Sequence, residues 1–175
     1  MKETKKQGVR IRWWQPVHPG QSRSDWAIDD VIIGGKAANP NELMDEFQSD
    51  GVDYSIWLQN NNLLNGDFCG TPDVIVGQDQ DKETVALTTI DLAIHRGYIV
   101  QFRISVGCNA SWDDDVDPVR LEFSNDYGIT WRLVVEECLP FYPECNGVAS
   151  PPSVYYAAKS WRRITIPLEG ELISK

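Results

Sequence analysis

Residues 119–135 restrict the possible folds more than any other part of this sequence. Apolar and polar side chains alternate on both sides of a central turn, and successive side chains of a β-strand point to opposite faces. The alternating apolar residues are Val119, Leu121 and Phe123 before the turn and Trp131, Leu133 and Val135 after it. Residues 125–128 read Asn-Asp-Tyr-Gly, which favours a turn because Asn and Asp bond their own backbone and Gly tolerates positive φ. The segment therefore predicts a β-hairpin with an apolar inner face.

The turn of this hairpin carries an Asp-box motif, S-x-D-x-G-x-T-W. Its residues are Ser124, Asp126, Gly128, Thr130 and Trp131. Short polar side chains can tie the loop backbone, and the Trp ring can hold the loop against the sheet. Asp boxes occur in sialidases as structural turns outside the active site. The motif therefore predicts a structural role rather than a catalytic one.

Short strands separated by turn residues continue through the rest of the chain. The strands predicted from alternation lie at residues 9–14, 26–33, 43–47, 54–58, 74–76, 84–88, 98–107, 154–157 and 161–167. Residues 60–62, Asn-Asn-Asn, and residues 65–67, Asn-Gly-Asp, predict loops or turns. Apolar residues nowhere recur at the helical spacing i, i+3, i+4, i+7 with caps. The pattern predicts an all-β sandwich in one domain.

The net charge of −10 limits the possible partners. Nucleic acids and anionic membrane surfaces both need a basic face, so neither is an expected partner. No apolar run approaches the roughly 20 residues that a membrane span requires. An acidic surface suits the binding of cations such as calcium.

Four cysteines predict two disulfide bonds, for which three connectivities are possible. Cys138 and Cys145 bracket a short Pro-containing loop, so we pair them and leave Cys69 to Cys108. Free thiols or a metal site are the alternative, but neither histidine stands at ligand spacing. Asn109 begins an N-glycosylation sequon, Asn-Ala-Ser, beside Cys108. Paired cysteines and a sequon together indicate an extracellular setting.

Asp29 is the first candidate metal ligand. The strand predicted at residues 26–33 places Ala27, Asp29, Val31 and Ile33 on one face. Burying a bare carboxylate is costly unless it is paired or binds a metal.

Asp45, with Glu46 beside it, is the second candidate and follows a linker. Calcium takes about six to eight oxygens, often from carboxylates and backbone carbonyls. The alternative is an arginine partner such as Arg10 or Arg12, or exposure at a strand end. We expect calcium, and its loss should lower the melting temperature.

No catalytic arrangement is visible in the sequence. The spacings of a Ser-His-Asp triad, a Cys-His pair, a phosphate-binding loop and a dinucleotide fold are all missing, so we do not expect an enzyme. The seven tryptophans could form a sugar-binding platform, because aromatic faces stack on sugars. Strand patterns instead favour core positions for Trp13, Trp26, Trp131 and Trp161, and Trp112 is expected to be exposed.

Several segments taken together resemble the sub-repeats of reelin. They are VRIRWWQP, DWAIDDVIIGG, LMDEF, FCG, QFRISVGC, DPVRLEFSNDYGITW, ECLP, PPSVYY and WRRITIPL. Reelin is a large secreted glycoprotein of the extracellular matrix in the developing brain. The resemblance spans almost the whole chain and implies a β jelly-roll akin to carbohydrate-binding modules. It also implies calcium binding, and the segments around Asp29 and Asp45 align with those of the family. Because the opening and closing strands of a jelly-roll lie side by side, one ion could bind both aspartates, with Asp117 as a third candidate ligand.

The order of the segments differs from that of one reelin sub-repeat. In the family, strands like those at residues 9–33 close a sub-repeat, whereas here they come first. We therefore divide the single domain, residues 1–175, into closing strands at 9–33, a linker at 34–42 and a body at 43–175. Either the chain straddles two consecutive sub-repeats or its first strands close its own sheet, with swapping between two chains as a third option. In each case we expect residues 9–33 to pair in the sheet that contains residues 161–167.

Two classes of function follow from these observations. The first is a non-catalytic extracellular module of a secreted reelin-like glycoprotein, which acts as a spacer or in protein recognition. Its expected partners are neighbouring reelin repeats and lipoprotein-receptor ectodomains, although the lysines through which reelin binds those receptors have no match here. The second class is a carbohydrate-binding module.

Overall fold

Two antiparallel sheets enclose the apolar core of the protein, as its computed structural model shows. The structure describes residues 8–16, 25–35, 43–48, 52–77, 84–107, 118–135, 153–155 and 160–170, and structural statements below concern these residues. Their strands are β1 (Arg10–Gln15), β2 (Trp26–Gly35), β3 (Leu43–Asp45), β4 (Trp57–Asn61), β5 (Leu63–Phe68), β6 (Thr71–Gly77), β7 (Val85–Thr89), β8 (Tyr98–Val106), β9 (Val119–Ser124), β10 (Arg132–Leu133), β11 (Val154–Tyr155) and β12 (Arg162–Pro167). The predicted all-β sandwich is confirmed.

The two N-terminal strands occupy the middle of the two sheets. The first sheet has the order β10-β9-β1-β7-β4, with β11 also paired to β9. The second has the order β12-β8-β2-β6-β5, with β3 also paired to β2. Strands β1 and β2 therefore pair with strands of their own chain on both sides.

The expectation that residues 9–33 share one sheet with residues 161–167 is wrong for β1. Strand β2 lies in the sheet of β12, but β1 lies in the opposite sheet, between β9 and β7. Alternation shows which side chains of a strand face inwards, and it carries no information about the neighbouring strand. Both strands bury one apolar face in the same core, so the sequence pattern of each fits either sheet.

The core contains three fully buried tryptophans, Trp13, Trp26 and Trp57. The Trp13 ring meets Phe102 edge to face, with centroids 5.1 Å apart. The core positions predicted for Trp13 and Trp26 are confirmed. Those predicted for Trp131 and Trp161 are wrong, because both rings are half-buried on the outer side of a sheet, where each stacks with an arginine.

A β-bulge divides β2 and changes which side chains face inwards. The register with β8 shifts between Asp29 and Ile32, and Asp30 has a φ of 52°. Ala27 belongs to a small apolar cluster on the outer face, whereas Val31 belongs to the main core. The prediction of one shared face for Ala27, Asp29 and Val31 is therefore wrong, since one extra residue in a strand reverses the alternation beyond it.

Other segments also differ from the sequence prediction. The strand predicted at residues 43–47 ends at Asp45, and Phe47 has a φ of 50°. Residues 65–67, predicted as a turn, lie within β5, which pairs with β6 through a register shift near Gly66. Gly66 explains why a strand forms where a turn was predicted. Glycine is typical of turns, but it also occurs at bulges inside strands.

Candidate functional site

The Asp-box turn connects β9 to β10 and is built from hydrogen bonds among the eight residues 124–131. The Gly128 amide donates to the Ser124 hydroxyl at 2.8 Å, and that hydroxyl lies 2.7 Å from Asp126 Oδ1. Thr130 donates to Asp126 from both its amide and its hydroxyl, at 2.9 and 2.5 Å. The Trp131 indole donates to the Gly128 carbonyl at 3.1 Å. The Thr130 and Ser124 bonds lower the pKa of Asp126 to about 2, because they stabilise its carboxylate form.

An arginine lies between two tryptophan rings on the outer face of the first sheet. The Arg12 Cζ atom lies 4.0 Å from the Trp131 ring centroid and 4.2 Å from that of Trp14. Arg12 also forms a salt bridge of 2.7 Å with Glu122 on β9, and Glu122 is buried. Burial lowers the pKa of Arg12 from its ordinary value, and the bond to Glu122 opposes this shift. The stack holds the Asp-box tryptophan against β1.

Two further arginines lie beside this stack. Arg10 pairs with Asp91 at 2.6 Å and donates to the Tyr127 carbonyl at 2.7 Å. Arg120, opposite Trp14 in the register of β9 with β1, lies 5.7 Å from the Trp14 ring centroid. Sequence reasoning missed the function of this face, although its signal is present: the strand predicted at residues 9–14 places Arg10, Arg12 and Trp14 on the side opposite the apolar residues.

The bulge of β2 places Asp29 on the outer face of the second sheet. Arg103 Nη1 lies 3.1 Å from Asp29 Oδ2 and 3.6 Å from an Asp30 oxygen. Desolvation raises the pKa of Asp29, and the neighbouring Asp30 carboxylate adds to this shift. The attraction of Arg103 lowers this pKa without outweighing them. An arginine partner, the alternative considered from the sequence, is thus present as Arg103 rather than Arg10 or Arg12.

Asp45 lies on the opposite side of the same sheet from Asp29. It pairs with the inward-facing Val31, and the core residue Trp57 donates from its indole to Asp45 Oδ2 at 2.6 Å. The Phe47 amide donates to Asp45 Oδ1 at 2.8 Å. Among the described residues, no three His, Cys, Asp or Glu side chains are grouped as a metal site. Asp29 and Asp45 therefore do not fit one shared calcium site.

The remaining site predictions fall mainly outside the described residues. They are Asp117, Cys108, Asn109, Cys138 and Cys145. Cys69 is disulfide-bonded, to a partner outside the described ranges, so its pairing with Cys108 stays a prediction. No helix in the described part of the chain is long and apolar enough to cross a membrane.

The described part of the chain is thus a β-sandwich module. Its Asp-box hairpin and the arginines stacked on its outer face serve to hold the sandwich together. A family model described as reelin subrepeat B matches residues 1–34 and 65–175. The chain therefore belongs to the reelin subrepeat family, whose members are structural modules, and it is a reelin-like extracellular module. No solved structure matches the chain.

Proposed function

We propose that this chain is a non-catalytic module of a secreted reelin-like matrix or signalling glycoprotein that is recognised by neighbouring modules. The observation that supports this role lies on the outer face of the second sheet. Met44, which pairs with Ile32, and Leu64, which pairs with Val76, are 56% and 62% exposed. Exposed apolar side chains on one sheet face are a candidate protein contact surface when they form a contiguous patch.

Binding between this chain and the modules that flank it in its full-length protein tests the proposal. We expect association of the purified modules in sedimentation velocity, and weaker association when Met44 and Leu64 are both replaced by Lys. The matched control replaces Leu58, which is 50% exposed on the other sheet, by Lys. If the double variant associates as the parent does, the contact lies elsewhere on the module. If the parent itself does not associate, the module is a spacer and is not recognised by its neighbours.

Receptor binding is a separate part of the same proposal. Surface plasmon resonance with lipoprotein-receptor ectodomains distinguishes a signalling module from a spacer, and binding above background supports the former.

Calcium stabilisation also belongs to this proposal. The support is the acidic composition of the chain and the closeness of Asp29, Asp30 and Glu46, whose charges together affect the Asp29 pKa. Because Asp29 and Asp45 face opposite sides, each would hold calcium separately, with Asp117 or backbone carbonyls completing the ligands. We expect excess chelator to lower the melting temperature and added calcium to restore it. An unchanged melting curve contradicts calcium binding.

A carbohydrate-binding module is the second candidate. Trp14 and Trp131 support it, because both are partly exposed on an outer sheet face, with Arg12 stacked against one face of each ring. A glycan array followed by tryptophan fluorescence tests this function, and no change in emission with any bound sugar excludes it.

A further inference from the structure

The outer face of the first sheet carries a continuous row of aromatic and arginine side chains, here called the aromatic–arginine strip. Its members are Tyr127, Arg10, Trp131, Arg12, Trp14 and Arg120. Arg10 bonds to the Tyr127 carbonyl, and Arg12 stacks between Trp131 and Trp14. At the other end of the strip, Arg120 lies beside Trp14, its register partner on β9. The strip follows the paired strands β1 and β9, whose register runs from Arg10↔Ser124 to Trp14↔Arg120.

The Asp-box end of the strip presents apolar side chains in a fixed conformation. Tyr127 is 47% exposed and Ile129 is 80% exposed. Tyr127 has a φ of 62°, a conformation that costs free energy for a bulky residue. The hydrogen bonds of Ser124 and Asp126 hold the turn in this state. A surface that is ordered before binding loses less conformational entropy when a partner docks.

The other end of the strip presents a guanidinium that is available to a carboxylate. Arg10 pairs with Asp91 and Arg12 pairs with Glu122. Within the described ranges, no carboxylate lies at salt-bridge distance from Arg120, which is partly exposed. A guanidinium beside an aromatic ring can bind a carboxylate by donating two parallel hydrogen bonds to it.

Protein is the better-matched occupant of this surface than glycan. A sugar that stacks on tryptophan needs an open ring face, but Arg12 lies over both Trp14 and Trp131. Ile129, the most exposed large apolar residue in the described part of the chain, offers a sugar no side-chain hydrogen bond. Tryptophan, tyrosine and arginine are the residues that most often dominate the binding energy of protein interfaces.

We infer that the aromatic–arginine strip binds an extended protein segment that places a carboxylate on Arg120 and an apolar side chain against Tyr127 and Ile129. From Arg120 to Ser124 the strand covers about 14 Å, and the turn lies beyond it. An extended partner therefore needs about four to six residues between its acidic and its apolar contact. This inference rests on the proposed recognition role and specifies one surface and one partner chemistry for it.

A phage-displayed library of random 16-residue peptides, selected on the immobilised full chain, tests this inference. We expect enrichment of peptides with Glu or Asp about four to six positions from a large apolar residue. A synthetic peptide of the enriched class should bind about tenfold more tightly than its Glu→Gln analogue. Arg120→Gln should remove this difference, and Ile129→Ser should weaken the binding of both peptides.

Arg163→Gln is the matched control, because Arg163 is an exposed arginine on the outer face of the other sheet, beside Asp30. It should leave peptide binding unchanged, and melting curves establish that each variant is folded. The inference is overturned if the selection enriches basic peptides or enriches none. It is also overturned if Arg120→Gln leaves peptide binding unchanged, or if a glycan binds through Arg120. Loss of module association in the Met44 and Leu64 double variant reports on the proposed function separately, because those residues lie on the other sheet.

Discussion

Two aspartates on opposite sides of the sandwich have opposite pKa shifts. Asp126 receives its hydrogen bonds from Thr130 and Ser124, within four residues, and its pKa falls to about 2. Asp29 lies in the bulge of β2, where desolvation and Asp30 raise its pKa although Arg103 pairs with it. Local donors surround Asp126 as soon as the turn forms, whereas the partner of Asp29 is 74 residues away. The difference teaches that a polar motif can be interpreted from sequence when its partners are near in the chain.

The largest effect is expected from removing the distant partner. Arg103→Ala should lower the free energy of unfolding by about 2–4 kcal/mol, because it leaves the mostly buried Asp29 carboxylate beside Asp30 without a counter-charge. Urea denaturation at neutral pH measures this loss. Arg163→Ala, which removes a more exposed arginine near the same Asp30, should cost less than about 1 kcal/mol. Equal losses in the two variants would show that the pairing of Asp29 contributes no more than a surface contact.

A smaller effect is expected from removing a local partner. Ser124→Ala should lower the free energy of unfolding by about 1–2 kcal/mol, because the buried hydroxyl bonds both Gly128 and Asp126. Amide hydrogen exchange at Gly128 and Thr130 should become faster, while the amides of β2 keep their rates. Asn125→Ala in the same turn is the control and should stay within about 0.5 kcal/mol of the parent, because Asn125 is exposed. Faster exchange in β2 would contradict a local role for the turn.

The smallest effect is a difference in titration between the two aspartates. The folded pKa of Asp126 is below its unfolded value of about 3.9, so its contribution to stability is present above that pH and is lost as pH falls towards about 2. The folded pKa of Asp29 is raised, so its contribution is largest below the unfolded pKa and is lost as pH rises through the folded pKa. Carboxyl-carbon NMR in chelator-containing buffer should show Asp126 titrating below Asp29. The reverse order would contradict both assignments.

The strand content of the protein was predictable because alternation is a property of neighbouring residues. Ile11 and Trp13 on β1, and Leu121 on β9, are buried as their pattern predicted. The turn geometry at Asp126 follows from a motif in which donors and acceptor are close in sequence. The candidate ligands Asp29 and Asp45 were recognised as unusual carboxylates in strands, and both accept hydrogen bonds in the structure.

The positions of those carboxylates relative to one another were not predictable. Asp29 and Asp45 lie on adjacent strands but on opposite faces, because the bulge at Asp30 inserts one residue between the outer and inner runs of β2. Residues 26–33 contain no glycine or proline that would signal a bulge. The sequence therefore suggests that Asp29 and Asp45 bind one ion, whereas the sheet places them on opposite faces.

The chain by itself determined which segments are strands, which faces are apolar and how the Asp-box turn bonds to itself, because these depend on side chains a few residues apart. Only the tertiary structure decided that β1 and β2 lie in different sheets, that Arg103 rather than Arg10 or Arg12 meets Asp29, and that Arg12 joins two tryptophans. The reason is that strand pairing brings together residues far apart in sequence, and many pairings satisfy the same alternation equally well.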